Sequence, residues 1–246
     1  FYEGDWRLQY NKEFRGDVYA THGVGPAAQA LDIHRGDKMN ILVAMDTKPA
    51  NIPEYLIEKR GMDAESAYDF ENGQHTMTMM RTENEKTIHI QHDVASPRPY
   101  TRMYQVSGTK GFANKYPNQG YALQGDMLGE DIAPDLEDLN AHNWVSPEVR
   151  SALMEKYKHP IHQELEEKAR EVGGHGGMDF IMDYRLIYCL RNGLPLDMDV
   201  YDLAEWCSLA ELSRISIENN SAPVEVPDFT RGYWNQIDGY RHAFVD

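Results

Sequence analysis

The sequence has few cysteines and none of the short motifs that mark common catalytic sites. Its 246 residues include only Cys189 and Cys207, which form neither a disulfide framework nor a CxxC metal pair. We expect both thiols to be buried, on two separate helices. There is no HExxH, no GxSxG and no GxGxxG between a strand and a helix, and no carboxylate pair can be assigned to glycoside hydrolysis. The sequence therefore offers no metal site and no dinucleotide fingerprint.

Long apolar runs and basic residues are also scarce. No run approaches the roughly 18 apolar residues that span a bilayer. Lys and Arg number 24 against 40 Asp and Glu, a formal net charge of −16. Because nucleic acids and anionic membranes favour basic surfaces, this charge argues against both as partners. It also argues against a highly anionic substrate unless the site is locally basic, although solubility alone explains an acidic surface.

What is present is the composition of a folded protein. Hydrophobic residues make up 41% and aromatic residues 11% of the chain, as in globular domains. The length suffices for one large domain or two small ones. The sequence opens on Phe1 without an initiator Met, a basic segment or an apolar leader, so we expect it to be part of a longer protein.

Hydrophobic periodicity predicts strands followed by helices. Strands are expected over residues 38–47, 74–82, 86–94 and 100–107, with a hairpin at 83–86. Helices are expected over residues 23–33, 52–58, 147–157, 161–172, 178–192 and 199–219. No core element is expected in the first twenty residues, and 108–147, rich in Gly, Asn, Asp and Pro, is expected to be irregular. This order predicts an α+β fold, a mostly antiparallel open sheet with helices packed on one face.

Residues 19–26 (YATHGVGP) are the first candidate site. Tyr19, Thr21 and His22 place a phenol, a hydroxyl and an imidazole directly before a helix. Imidazole is suited to proton transfer near neutral pH, and a phenol can act beside it if a cation lowers its pKa. The glycines allow close approach of the backbone. The alternative is a helix cap formed by Thr21 with a His whose hydrogen bonds are satisfied.

Two further candidates suit a sugar. Arg7 follows Trp6, and an Arg fork beside an aromatic ring matches the hydroxyl rim and C–H faces of a pyranose. Tyr100 follows Ser-Pro-Arg-Pro, whose prolines stiffen the entry to a strand. The alternatives are an ordinary surface Arg and a half-buried Tyr after a rigid loop.

The last candidate is residues 173–180 (GGHGGMDF). Four glycines surround His175 at the start of a helix, whose free N–H groups can face a ligand. A helix–turn–helix link needs only one Gly, so a functional role for this segment is slightly favoured over a purely structural one.

Together these segments resemble the C-terminal domain of glycoside hydrolase family 109, in the Gfo/Idh/MocA oxidoreductase superfamily. The family includes α-N-acetylgalactosaminidases. The matching segments follow the family's order along nearly the whole chain: Trp6-Arg7, YATHGVGP, Arg35-Gly36, Arg98-Pro99-Tyr100, GTKG at 108–111, GGHGGMDF, residues 196–206 and VPDFT at 226–230. Ala20 stands where the family usually has Pro.

The resemblance implies a redox-neutral hydrolysis. NAD oxidises the sugar at C3, the acidified C2 proton is lost with the C1 substituent, water adds, and the hydride returns. His22 and Tyr19 are then the proton-transfer pair, and Tyr19 also lies at a position that contacts the cofactor. Arg7, Thr21 and Tyr100 match substrate-binding positions, and His175 is a weaker candidate for the same role.

The resemblance also implies partners. Residues 1–246 would form a single C-terminal domain for substrate binding and oligomerisation, and NAD would be bound mainly by an N-terminal Rossmann domain that the chain lacks. The sheet would serve as a homo-oligomer surface, for which the alternating Thr and Met at 76–79 are suited, although core packing explains Met77 and Met79 equally well. Relatives are often exported by bacteria, so a periplasmic or exported protein is expected, and the fragment alone is expected to be inactive.

Two alternatives to an NAD-dependent glycosidase stay open at this point. The first is an NAD(P)-dependent sugar dehydrogenase of the same superfamily, which releases NADH and hydrolyses nothing. The second is a carbohydrate-binding or oligomerisation module without catalysis.

Overall fold

A computed structural model describes residues 6–93, 95–125 and 140–236. Within these residues the chain forms two compact units, 6–97 with 195–236, and 98–194. Each unit combines helices with an antiparallel sheet, so the predicted α+β class is confirmed. No helix among the described residues is long and apolar enough to cross a membrane.

A four-stranded antiparallel sheet lies at the centre of the first unit. Its strands are β1 (Met39–Asp46), β2 (His75–Thr82), β3 (Thr87–Asp93) and the short β7 (Val224–Glu225), in the order β3-β2-β1-β7. The three longer strands match the predicted ones to within a residue or two. Their pairing sets Met45 opposite Met77, and Met79 opposite His89.

The α-helices described in this unit are α1 (Trp6–Glu13), α2 (Thr21–Ala30), α3 (Asn51–Arg60), α4 (Ala64–Tyr68) and α8 (Val200–Glu218). The sequence did not predict α1, which has no buried residue and therefore no apolar stripe. The helix over 52–58 extends a further turn to Gly61, whose left-handed backbone ends it.

Two helices, α2 and α8, cover one face of the sheet. Their core side chains pack against the inward-facing residues of β1 to β3, and the buried set includes Val24, Ala28, Met39, Leu42, Met80, Ile88 and Leu209. Helix α8 is also hydrogen-bonded across the layer. Ser213 Oγ accepts from the backbone N–H of Asp17 at 2.8 Å, and Ser216 Oγ accepts from that of Ala44 at 2.9 Å. Helices lie on one face of the sheet, as predicted.

A buried ionic cluster joins the loop after α2 to the first turns of α8. Arg35 forms two 2.8 Å hydrogen bonds to the carboxylate of Asp202. The ring nitrogens of His34 lie 3.5 Å from Asp202 and 3.3 Å from Glu205. Burial alone would lower the pKa of His34, but these two carboxylates outweigh it and raise that pKa to about 9. Burial alone would raise the pKa of Asp202, but His34 and Arg35 outweigh it and lower that pKa to about 2. This cluster gives the segments at 35–36 and 196–206 a structural role.

The second unit contains a three-stranded antiparallel sheet, ordered β4-β5-β6. Its strands are β4 (Gln105–Ser107), β5 (Gly111–Asn114) and β6 (Gly120–Leu123). Its helices are α5 (Pro147–Lys156), α6 (Pro160–Val172) and α7 (Met178–Asn192), all as predicted to within a residue.

Two predictions for this unit need correction. The segment 108–147 is not irregular throughout, because β5 and β6 form in it, while residues 126–139 lie outside the described part. The strand expected from Tyr100 begins only at Gln105, since its pairing with β5 covers three residues.

The two cysteines also differ from each other. Cys189 is buried on α7, whereas Cys207 is exposed on α8, and both are free thiols. The expectation that both thiols are buried is therefore wrong for Cys207. Helix α8 packs on the sheet through the face that carries Leu209 and Leu212, and Cys207 lies outside that face.

Candidate functional site

Tyr19 and His22 lie together at the start of α2. The phenol oxygen of Tyr19 is 3.3 Å from Nε2 of His22, and the two rings stack with centroids 4.4 Å apart at 18°. Their spacing of three residues brings both side chains to the same side of the first helical turn. Tyr19 is 53% exposed, so the pair is in hydrogen-bond contact and open to a ligand. An imidazole and a phenol so arranged can relay a proton.

Thr21 has a different local role from the one predicted. It is the first residue of α2, and Ala20, with helical backbone angles, precedes it without a side-chain cap. Thr21 therefore does not cap the helix, because the residue with the capping position has no hydroxyl. Its side chain is exposed beside His22, and its contact with substrate stays a prediction.

The glycines of this segment serve helix packing. A Cβ on Gly23 would lie 3.2 Å from Ile90 on β3, and one on Gly25 would lie 3.1 Å from the Trp206 ring on α8. Glycine at these positions lets α2 approach the sheet and α8 closely. The glycines thus allow close packing against other parts of the protein rather than against a ligand. This packing positions Tyr19 and His22 relative to β3.

Two residues that the sequence analysis missed lie beside Tyr19. The ring of His92, on β3, stacks on Tyr19 with centroids 5.7 Å apart at 24°. Asp17 is fully buried, and its carboxylate accepts a hydrogen bond from Thr78 Oγ1 at 3.1 Å. The backbone N–H of Tyr19 points to the same carboxylate at 3.4 Å. Asp17 and His92 thus support the ring of Tyr19 from the loop before it and from the sheet.

Burial controls the ionisation of these two supporting groups. It raises the pKa of Asp17, and the nearby His92 and the Thr78 hydroxyl oppose this rise. Burial likewise lowers the pKa of His92, against the charges of Asp17 and Asp93. His92 is therefore uncharged at neutral pH, and it places a neutral ring against Tyr19.

One sequence signal points to His92. In β3 the residues Ile88, Ile90 and His92 alternate, so His92 falls on the face that carries buried isoleucines. A polar side chain on a buried face needs a hydrogen-bonding partner, so such a residue is a candidate for a structural or functional role.

Arg7 lies on α1, in the same compact unit as Tyr19 and His22. Its guanidinium stacks over the ring of Trp6 at 4.5 Å from the centroid. The aromatic neighbour expected for a sugar-binding Arg is therefore in contact with it, and the role of Arg7 towards substrate stays a prediction.

Tyr100 and His175 belong to the second unit. Tyr100 lies in an extended stretch before β4 and is 74% exposed, with Arg102 near its ring. The half-buried alternative for Tyr100 is therefore wrong. Its exposed ring is available to a ligand, and its role stays a prediction.

The glycines around His175 have a conformational reason. Gly173, Gly174, Gly176 and Gly177 all have positive φ, between 72° and 97°. A Cβ on Gly177 would lie 2.7 Å from the backbone of Ala169 in α6, so the turn into α7 is too tight for a side chain there. All four glycines are thus used by the link between the helices.

His175 itself is tied to the start of α7. Its Nδ1 lies 2.9 Å from the carboxylate of Asp179, in the first turn of the helix. The ring remains exposed, so its substrate contact stays a prediction. In the part of the chain that the structure describes, no three His, Cys, Asp or Glu side chains are grouped to hold a metal ion.

Comparison with known proteins gives one consistent family. The model of the glycosyl hydrolase 109 C-terminal domain matches residues 1–236. The chain is similar to glycosyl hydrolase family 109 protein 1 of Phocaeicola vulgatus, at 66% identity over 245 residues, covering 100% of the chain and 51% of the relative. It is 63% identical over 246 residues to the protein of the same name from Bacteroides thetaiotaomicron, covering 100% of the chain and 52% of the relative. The chain spans about half the length of the curated relatives it matches.

Proposed function

The chain belongs to glycosyl hydrolase family 109, as the C-terminal domain of that family, and from this premise we propose that it is the substrate-binding part of an NAD-dependent glycosidase. Its substrates would be α-N-acetylgalactosaminides or related glycosides. The observation that carries the proposal is the hydrogen-bonded, ligand-accessible pair of Tyr19 and His22, at 3.3 Å. A glycosidase that works by proton abstraction needs such a pair and no carboxylate pair.

One residue of this chain, Tyr19, is suited to contact NAD. Tyr19 is half exposed beside the two imidazole rings that stack against it, and its exposed part would contact the nicotinamide ring. When bound, NAD supplies reversible hydride acceptance. We assign the rest of its binding to a Rossmann domain in the half of the relatives' length that this chain does not span.

The residues of this chain then hold the sugar and move a proton. His22 takes the proton from C2 of the sugar; the electrons of that C–H bond form the C1–C2 double bond, and the C1 substituent leaves with its bonding pair. The phenol oxygen of Tyr19 accepts a hydrogen bond from the imidazolium so formed. The neutral ring of His92 keeps Tyr19 in place without adding a positive charge beside His22. Arg7 binds the hydroxyl rim of the pyranose, and Tyr100, in the second unit, stays a predicted sugar-binding residue.

We further propose that the face of the first sheet opposite α2 and α8 is a homo-oligomer surface. The side chains of Met45 and Met79, each more than half exposed, lie on the face of the first sheet opposite α2 and α8. Exposed large apolar side chains on one flat face are typical of protein interfaces. The size of the purified full-length protein in solution tests this, and a monomer would contradict it.

Turnover of an aryl glycoside tests the main proposal. Full-length protein, purified without added cofactor, should release p-nitrophenol from p-nitrophenyl α-N-acetylgalactosaminide. Steady accumulation of NADH with a free sugar, without release of p-nitrophenol, would instead indicate a sugar dehydrogenase. Sugar binding by a protein that carries no NAD and turns over neither substrate would indicate a non-catalytic module.

A further inference from the structure

The indole of Trp144, in the second unit, rests on the backbone of Gly120. Gly120 is the first residue of β6 and is buried, and the backbone N–H of Val145 holds the adjacent chain to Tyr121 at 2.9 Å. A Cβ on Gly120 would lie 2.7, 3.1 and 3.3 Å from three bonded ring atoms, Cε3, Cζ3 and Cδ2. This small spread places Gly120 beneath the face of the ring, since an approach to the edge would leave the outer two atoms farther away.

The other face of this indole is open. Trp144 is 53% exposed, and Phe112 packs at its side with ring centroids 5.8 Å apart at 44°. A cavity of about 240 Å³ borders the ring. An indole supported on one face by backbone and open on the other is a fixed, flat apolar platform.

Polar groups surround the platform. Arg150 lines the cavity, and its guanidinium is oriented by a 3.0 Å hydrogen bond from Nη1 to the backbone oxygen of Gln119. The backbone oxygen of the neighbouring Asn118 accepts a 2.7 Å hydrogen bond from the side chain of Asn114, which fixes this turn. Of the lining residues in the described part of the chain, none is acidic: Asn118, Gln119, Gly120, Trp144, Val145, Pro147 and Arg150.

We propose that this cavity binds a pyranose ring, stacked on Trp144 with its hydroxyl rim towards Arg150. A sugar presents C–H groups on its faces and hydroxyls at its edge, so it matches an apolar platform with donors at the side. A cationic ligand is disfavoured by Arg150. A planar base is disfavoured because the cavity offers one ring face and no second ring to enclose it. The site requires neither NAD nor hydrolysis, so it extends beyond the proposed function.

Labelled indole groups test this site directly. We would titrate ¹⁵N-tryptophan-labelled full-length protein with methyl α-N-acetylgalactosaminide and methyl α-galactoside, and assign Trp144 from the spectrum of Trp144→Phe. The indole signal of Trp144 should shift in a saturable manner. Arg150→Gln should raise the half-saturating concentration by about tenfold, as loss of a charge-assisted hydrogen bond does. Gly120→Ala should also weaken binding, because the added Cβ displaces the ring.

Controls separate this site from other effects. Tyr157→Ala removes an exposed aromatic side chain directly after α5 that is not among the residues lining the cavity, and it should bind as the parent protein does. If no sugar shifts the Trp144 signal, or if Arg150→Gln binds with unchanged affinity, the proposal is overturned. A shift with adenosine and none with the glycosides would also overturn it. Release of p-nitrophenol is measured on the same samples, so the failure of either proposal is distinguishable from failure of the other.

Discussion

The buried His34 should make the stability of the first unit fall as the pH rises above neutrality. Its pKa is raised from the ordinary value of 6.5 to about 9 by Asp202 and Glu205. The folded chain thus holds a proton that the unfolded chain releases in this interval. The stabilisation is present in full below pH 6.5 and is lost as the pH approaches 9.

The size of this effect follows from the shift. Each pKa unit corresponds to about 1.4 kcal/mol, so the free energy of unfolding should fall on the order of 3 kcal/mol across the interval. Asp202 does not contribute to this slope, because its pKa of about 2 lies far below the interval.

The perturbation is His34→Asn. His34 has a left-handed backbone with φ of 66°, which Asn tolerates better than most residues. Urea unfolding at pH 6, 7, 8 and 9 should show a falling midpoint for the parent protein and a nearly flat one for the variant, with an unchanged m-value. His89→Asn, on the exposed side of β3, is the matched control and should keep the parent slope.

Two outcomes would refute this reasoning. A parent protein whose midpoint does not fall between pH 6.5 and 9 would show that His34 is not protonated in the fold. An equal slope in His34→Asn would assign the titration to another group.

Three further predictions concern the site and its support. His22→Ala in the full-length enzyme should lower turnover of the aryl glycoside by about 2–4 decades, as loss of a general base does; unchanged turnover would contradict its role. Tyr19→Phe keeps the ring but loses the hydrogen bond to His22, so kcat should fall by about tenfold or more with little change in KM, and a raised KM with unchanged kcat would instead indicate a binding role. Gly16→Ala should lower the free energy of unfolding by about 1–3 kcal/mol, because its Cβ would lie 2.8 Å from a backbone oxygen of α8. Gly108→Ala, where the nearest atom is 3.7 Å away, is the control, and thermal melts compare the two.

The strands were predictable because one side of the sheet is buried and the other is not. Alternation located β2 and β3, but not which set of side chains faces the core. In β2 the buried residues include Thr76 and Thr78, whereas Met79 is exposed. A threonine can be buried when its hydroxyl is hydrogen-bonded, as that of Thr78 is to Asp17. That partner comes from a loop about sixty residues away, and no local pattern reveals it.

The candidate site was predictable only where its residues are close in sequence. Tyr19 and His22 are one helical turn apart, so local structure alone brings them together. His92 reaches Tyr19 only through the packing of β3 beneath α2, which periodicity cannot position. The same limit applies to Gly177 beside His175, because the backbone of Ala169 in α6 leaves no room for a side chain there.

The hydroxyl of Ser213 has a consequence for how this protein can be divided. It accepts the backbone N–H of Asp17, the residue that precedes Tyr19 by two positions. The first site residues are therefore anchored by a helix that is made almost two hundred residues later. During synthesis the segment containing Tyr19 and His22 must wait for α8 before it is held in place. A shorter chain that ends before Val200 would keep both side chains but lose the hydrogen bond that positions the loop before them.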